Sequence, residues 1–365
     1  MMLSHSQAGT GRAQPMDAGG NMPLNSYGVL KGTVIDRRFA SGANPHYQIH
    51  VVDDTIDYRI AVNVQSQDGS QVEYVVKSHF AHPLLRDLHE LKPGFHPLES
   101  KPGGLGLDFI RGNLVDRTEF VPLPFSAPGP DNDLNEKLDH YVQRAMADET
   151  ALLYAFGERW GPENGKKDKI FGFLPGNGIH DIHMNQGNDA RFKKDDGVWQ
   201  DGGLLIHFPR GDQWVAIFLK FQTQAWHTDD KTGHTLDIPV SGPPSDVAGG
   251  GGGLPTVEQP DGIVRIVAAL VNDARTPERE TVTLLNTSNR KIDLAGWSLA
   301  DNAKSKMALT GELQPGGLTT VVVQAPMVLS NKGGLITLLN AEGLKVDGVS
   351  YTKQQVSNPG WTIVF

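Results

Sequence analysis

Alternation of apolar and polar positions is the first signal along the chain. Residues 27–37 (YGVLKGTVIDR), 47–52, 58–64 and 72–77 are short runs rich in Val, Ile and Tyr, separated by turn-forming residues. That spacing predicts a β-meander or a small barrel. Residues 83–91 read as one helix, and the Pro- and Gly-dense stretch 93–130 as a loop-rich connection with a sub-boundary near 125–130. The period then changes. Leu134, Leu138, Tyr141, Val142 and Ala145 recur at helical spacing, so 131–146 predicts an amphipathic helix with one face on a core. Asp133 is its expected N-cap, with Glu136 three residues on completing a capping box. The helical pattern runs on through Leu152, Leu153 and Phe156. Further strands are expected over 169–174, 179–184, 203–208 and 214–222, the last two as a hairpin through Pro209-Arg210-Gly211-Asp212.

Between 238 and 260 periodicity disappears: PVSGPPSD is followed by the five glycines Gly249 to Gly253. A glycine run holds no regular element cheaply, so this segment predicts a tether. Beyond it, β-rich runs return at 263–271, 281–285, 318–323 and 335–339 among Asn, Gly and Pro clusters, the pattern of a β-sandwich. The expected fold is therefore a mixed α+β, β-rich N-terminal part (23–237) and an all-β immunoglobulin-like sandwich (261–365). The opening 1–22, rich in Gly, Ser and Gln, predicts a disordered tail.

Composition narrows the chemistry. Charged residues make up 21% and the formal net charge is -9, which argues against a surface that traps nucleic acid everywhere and leaves room for a local basic groove. The absence of cysteine excludes disulfides, thiolate metal sites and a cysteine nucleophile. It also fits a cytoplasmic setting. No stretch approaches the ~20 apolar residues of a membrane helix, so no membrane span is expected.

The densest polar signal is Gly178-Ile-His-Asp-Ile-His-Met-Asn-Gln-Gly-Asn188. On a helix, His180 and His183 share a face, as metal ligands or an acid/base pair require. On a strand, Asp181, His183 and Asn185 line one face, and His180 and Gln186 the other. The strand arrangement favours His183 as a single working acid or base, because imidazole exchanges a proton near neutral pH. The competing reading is a polar loop that satisfies its own backbone. Tyr154-Ala-Phe-Gly-Glu-Arg-Trp-Gly-Pro-Glu163 brings Glu158 and Arg159 beside an aromatic, although a helix end with a surface ion pair gives the same pattern. Trp226-His-Thr-Asp-Asp230 supplies His227 and Asp229, or else only a hairpin-end turn. Asp108-Phe-Ile-Arg-Gly-Asn113 and Lys77-Ser-His79 offer Arg111 and Lys77 as anion contacts, against the commoner structural salt bridge. The acidic stretch Asp195-Asp-Gly-Val-Trp-Gln-Asp201 has oxygen ligands for a cation but not the spacing of an EF-hand loop.

Two resemblances follow from longer runs of residues. Val282-Thr-Leu-Leu-Asn286, Ile292-Asp-Leu-Ala-Gly-Trp-Ser-Leu299, Leu313-Gln-Pro-Gly316, Gly333-Gly-Leu-Ile-Thr-Leu-Leu-Asn340 and Val346-Asp-Gly-Val-Ser-Tyr351 resemble the lamin tail domain. The resemblance implies an immunoglobulin-like fold with Trp297 buried in its core, against the alternative of a ligand-stacking aromatic, and an adhesive or targeting role whose partner is unknown. Pro23-Leu-Asn-Ser-Tyr-Gly-Val-Leu-Lys-Gly32, Leu107-Asp-Phe-Ile-Arg-Gly-Asn113, Pro128-Gly-Pro-Asp-Asn-Asp-Leu134, Phe156-Gly-Glu-Arg-Trp-Gly-Pro-Glu163, the stretch Gly178 to Asn188 and Phe221-Gln-Thr-Gln-Ala-Trp-His-Thr-Asp-Asp230 resemble the YukJ-like family of bacterial proteins, which supplies no catalytic residues to carry over.

The function expected from these features is a hydrolase acting on phosphodiesters, a nuclease or nucleotide phosphodiesterase. His183, His180, Asn185, Gln186 and His227 would carry catalysis, with Arg159, Arg111 and Lys77 on the substrate. A divalent metal ion, if used, falls to Asp181, Glu158 and Asp229. The alternative is a non-enzymatic ligand- or partner-binding protein with an adhesive lamin-tail module, or an adhesin in which the polar cluster only knits a loop.

Overall fold

The computed structural model describes residues 26–40, 46–66, 71–98, 104–127, 132–180, 182–184, 201–221 and 262–365. The expected tail 1–22 and tether 238–260 lie outside the described residues. The N-terminal strands are β1 (Tyr27–Arg38), β2 (His46–Val52), β3 (Asp57–Asn63), β4 (Val72–Lys77), β5 (Gly94–Pro97), β6 (Val121–Pro122), β7 (Leu152–Glu163), β8 (Gly176–His180), β9 (Gly203–Phe208) and β10 (Gln213–Phe221). The helices are α1 (Leu84–Glu90), α2 (Phe109–Gly112) and α3 (Asp133–Ala147).

β1 bends at a bulge between Val34 and Asp36, so that its first half lies along β7 and its second half along β2. β2 and β3 are antiparallel, β3 runs parallel to β8, and β8 is antiparallel to β7, which returns to β1. The circuit β1-β2-β3-β8-β7-β1 is a closed five-stranded barrel. Its third and fifth strands are the parallel pair, and α3 precedes its fourth, which is the connectivity of an OB barrel. Leu30, Tyr47, Ile49, Val51, Ile60, Val62, Leu153, Ala155 and Ile179 fill it, joined by Leu134, Leu138 and Val142 of α3.

The sheet continues outward from the first half of β7 through β9, β10, β4 and β6, and β5 adds beside β1. A second apolar layer covers the far face, with Val29, Leu88, Leu107, Tyr154, Phe156, Leu205 and Phe218. β7 thus sends Leu153 and Ala155 into one layer and Tyr154 and Phe156 into the other. A strand buried on both faces loses its apolar–polar alternation, and that is why 152–156 imitates an extension of the preceding helix. The helix ends at Ala147, and the residues expected to prolong it are strand.

Three other expectations are corrected. The cap of α3 is Asn132 rather than Asp133: its backbone is extended, its side-chain oxygen accepts from Asn135 N–H at 2.9 Å, and its side-chain amide donates to Val64 O at 2.7 Å. Residues 169–174 form turns closed on Asp168 instead of a strand. The run 179–184 is interrupted: β8 ends at His180, and only Met184 resumes pairing, as a parallel bridge to Lys220. The hairpin of β9 and β10 forms where its turn residues place it.

The C-terminal part holds β11 (Val264–Leu270), β12 (Thr281–Asn286), β13 (Ile292–Asp293), β14 (Ser298–Ala300), β15 (Lys306–Ala308), β16 (Glu312–Leu313), β17 (Leu318–Val322), β18 (Gly333–Leu339), β19 (Lys345–Thr352) and β20 (Ile363–Val364). One sheet is ordered β17-β12-β11-β20, the other β15-β14-β18-β19, with β13 and β16 as a separate pair. Trp297 is buried between the sheets among Ile266, Leu284, Leu299, Leu313 and Ile336, so it is a core residue. The two parts touch at α2. Asn113, at φ 54°, donates from its amide to Ile336 O at 3.0 Å and Thr337 Oγ1 at 3.1 Å, and Asp116 pairs with Arg265 at 2.8 Å.

Candidate functional site

β7 and β8 place Glu158 and His180 directly opposite each other, hence on one face of the sheet. Arg159, next along β7, belongs to the other face, with its guanidinium over Phe95 (5.1 Å) and Tyr58 (5.9 Å) and its Nη2 3.4 Å from Asn177 Oδ1. His183 sets its ring edge-on to Phe221 at 4.9 Å, and its carbonyl accepts from Gly202 N–H at 2.9 Å. Lys77 pairs with Glu119. Only the backbone of Arg111 is described, within α2. Asp181, Asn185, Gln186, His227 and Asp229 lie outside the described residues. Among the described residues, no three His, Asp or Glu side chains gather as metal ligands do.

The structure assembles a different cluster on the outer face of β2, β3, β8 and β7. Strand alternation turns Tyr47, Ile49, Tyr58 and Ile60 inward and therefore Gln48, His50, Asp57 and Arg59 outward. The β7–β8 connection folds back over them. His50 stacks on Phe171 (4.8 Å, 26°) and on Phe173 (5.0 Å, 23°), and its Nε2 lies 2.8 Å from Asp57 Oδ1. Arg38 lies over the Phe171 ring at 5.3 Å. Arg59 donates to Asp168 Oδ2 at 2.7 Å and to Gln48 Oε1 at 2.8 Å, and its guanidinium faces the Trp160 ring at 4.9 Å.

Asp168 organises the connection. Its second carboxylate oxygen receives Ile170 N–H at 2.9 Å and Phe171 N–H at 2.8 Å, while its own N–H donates to Phe173 O at 2.8 Å. Burial alone would raise its pKa, but those N–H groups and Arg59 outweigh it and hold the carboxyl below its ordinary value. Gly178 lets the layers close: a Cβ there would stand 1.9 Å from Arg59 O and 2.8 Å from Trp160 Nε1. The connection also carries Lys166, Lys167 and Lys169 at its exposed rim, with Lys166 3.2 Å from Glu163.

His50, Arg59, Asp168, Phe171 and Phe173 were not among the expected site residues. The available signal was Lys166-Lys-Asp-Lys-Ile-Phe-Gly-Phe173, a stretch interleaving cations and aromatics, which is masked as function when read as a strand. A separate cavity of about 120 Å³ lies where the two parts meet, lined in part by His82, Arg86, Asp108, Lys304 and Lys332. Burial pushes the His82 imidazole down to about 4, against its hydrogen bond to Gly112 O at 2.8 Å.

Among the described residues, no helix is long and apolar enough to cross a membrane. Residues 259–353 match the lamin tail domain, an immunoglobulin-like β fold. Over 214 residues the chain is 44% identical to the "Uncharacterized protein YukJ" of Bacillus subtilis (strain 168), covering 57% of this chain and 93% of that protein. Residues 22–233 match the family described as "Uncharacterized conserved protein (DUF2278)", and the chain belongs to that YukJ-like family.

Proposed function

We propose that the N-terminal barrel binds single-stranded nucleic acid across the outer face of β2, β3 and β8. The observation that carries this reading is the stack of His50 on Phe171 and Phe173, rimmed by Arg38 and the three lysines of the same connection. Flat rings offer every base a stacking surface whatever the sequence, and the cations follow the backbone. The net charge of -9 limits the attraction to this local strip, so a duplex, which needs many neutralised phosphates, should bind less well. Phosphodiester hydrolysis is a second reading, favoured by His180 and Glu158 sharing that outer face two positions along from Gly178 and Trp160.

One experiment addresses both. Fluorescence anisotropy with a labelled single-stranded oligonucleotide should give saturable binding that weakens as salt rises, and the matching duplex should bind less tightly. Replacing Phe171 and Phe173 together by Ala should lose ~1–3 kcal/mol per stacked base. Absence of binding at low salt, or binding indifferent to both phenylalanines, would refute the proposal. Running the same samples on a denaturing gel, with a divalent ion or a chelator, reads cleavage; products that vanish in His180→Ala or His183→Ala support the hydrolytic reading.

A further inference from the structure

We infer that the chain self-associates through the open edge of β17, pairing it with the same strand of a second copy. β17 has β12 on one side and, among the described residues, no strand on the other. The backbone parity of this edge follows from two bonds. Asn286 N–H donates to Gly317 O and Val323 N–H donates to Glu280 O, each at 3.0 Å, at the two ends of the register that sets Thr281 opposite Val322 and Leu285 opposite Leu318. Antiparallel pairs exchange both bonds at alternate residues, so Thr319 and Val321 turn their amides toward β12. The N–H and C=O groups of Leu318, Thr320 and Val322 therefore point along the open edge.

Edges of this kind are normally protected by charge, proline or a bulge, and β17 has none of the three. No charged residue occurs from Leu313 to Asn331, in a chain of which 21% is charged. Leu318 is 64% exposed and Thr320 is exposed, and the register with β12 is unbroken. The sequence Leu-Thr-Thr-Val-Val has high strand propensity.

The occupant that fits is a copy of this chain. An antiparallel pair of identical strands is automatically two-fold, with Thr320 opposite Thr320, Thr319 opposite Val321 and Leu318 opposite Val322. Every outward amide then finds a partner, and the exposed Leu318 meets the half-buried Val322 of the other copy across the axis. In a molecule of net charge -9, most isologous contacts bring like charges together, whereas this segment brings none. The contact is small, which places it among weak, concentration-dependent dimers.

Sedimentation velocity of the full chain over a concentration series tests the inference. The expected result is a rise from monomer mass toward twice that mass. Thr320→Pro removes the central outward N–H together with the hydroxyl contact to Thr283 Oγ1 (2.9 Å), leaves the backbone bonds to β12 in place and should abolish the dimer. Thr320→Lys sets like charges against each other at the axis and should raise the dissociation constant about tenfold or more. If Thr320→Pro does not fold, Thr320→Lys decides alone. A monomer at every concentration, or a dimer insensitive to the variants, overturns the inference; the former would leave the edge to an extended segment of another protein.

Discussion

Arg59 and Asp168 meet at 2.7 Å with side chains that are 9% and 0% exposed, from positions 109 residues apart. A buried pair of this kind contributes little beyond its desolvation, but removing one partner strands the other, a loss of about 3–5 kcal/mol. Asp168→Asn should therefore destabilise the barrel by roughly that amount near neutral pH. Because the folded-state pKa of Asp168 is depressed, its contribution is fully present above the unfolded value and disappears as pH falls through the folded one. Urea unfolding of the wild type and of Asp168→Asn should thus differ most near pH 7 and converge in strong acid. A difference equal at both ends would mean that the carboxylate charge does not hold the connection down. This scale is also where the sequence was least legible. His50 and Arg59 occupy outward positions of alternating strands, and alternation identifies the face a residue takes without revealing what folds over it. His180, by contrast, stands out because it belongs to the densest polar stretch of the chain, yet its cross-strand neighbour Glu158 comes from another element.

At the scale of elements, local pattern located most strands and named some of them wrongly. β4 emerges from its short β-rich run, and the β9–β10 hairpin from two apolar runs joined by turn residues. β7 does not, because its identity depends on partners far away in the chain: β1, β8 and β9 all pair with it. The same dependence governs β8, whose parallel neighbour β3 lies more than a hundred residues earlier. Their contact is sensitive to a single methyl group, since Gly178 sits where a Cβ would meet Arg59 O at 1.9 Å. Gly178→Ala must push β8 away from β3 and open the barrel at its parallel seam. The expected destabilisation is about 1–3 kcal/mol, read as a lower urea midpoint with an unchanged slope. A midpoint equal to wild type would show that the seam can shift freely, contrary to the packing around Trp160.

Among the described residues the molecule has two separate sets of apolar packing: the core clusters of residues 27–221 include nothing from 263–363, and the reverse also holds. Joining them are the amide of Asn113, the Asp116–Arg265 pair and Lys345 over the Phe109 ring at 5.8 Å. Such a polar junction orders two bodies without making either one's core depend on the other. Gly348 tightens it, because a Cβ at that position would lie 2.0 Å from Asn113 Oδ1. A protease site introduced between Gly249 and Gly253 and then cut should therefore leave two pieces that each keep a cooperative melt, the C-terminal one purely β by circular dichroism. At high concentration the pieces should migrate together on a sizing column. Gly348→Ala should separate them while leaving the melt of the C-terminal piece nearly unchanged, since its added methyl reaches across the junction toward Asn113. Asn113→Ala should do the same by removing the amide that reads Ile336 and Thr337, with a loss of about 1–3 kcal/mol for acceptors left unpaired. Loss of a cooperative melt in either piece would mean that the cores are not independent. Co-migration surviving both substitutions would mean that the parts are held together through some other surface.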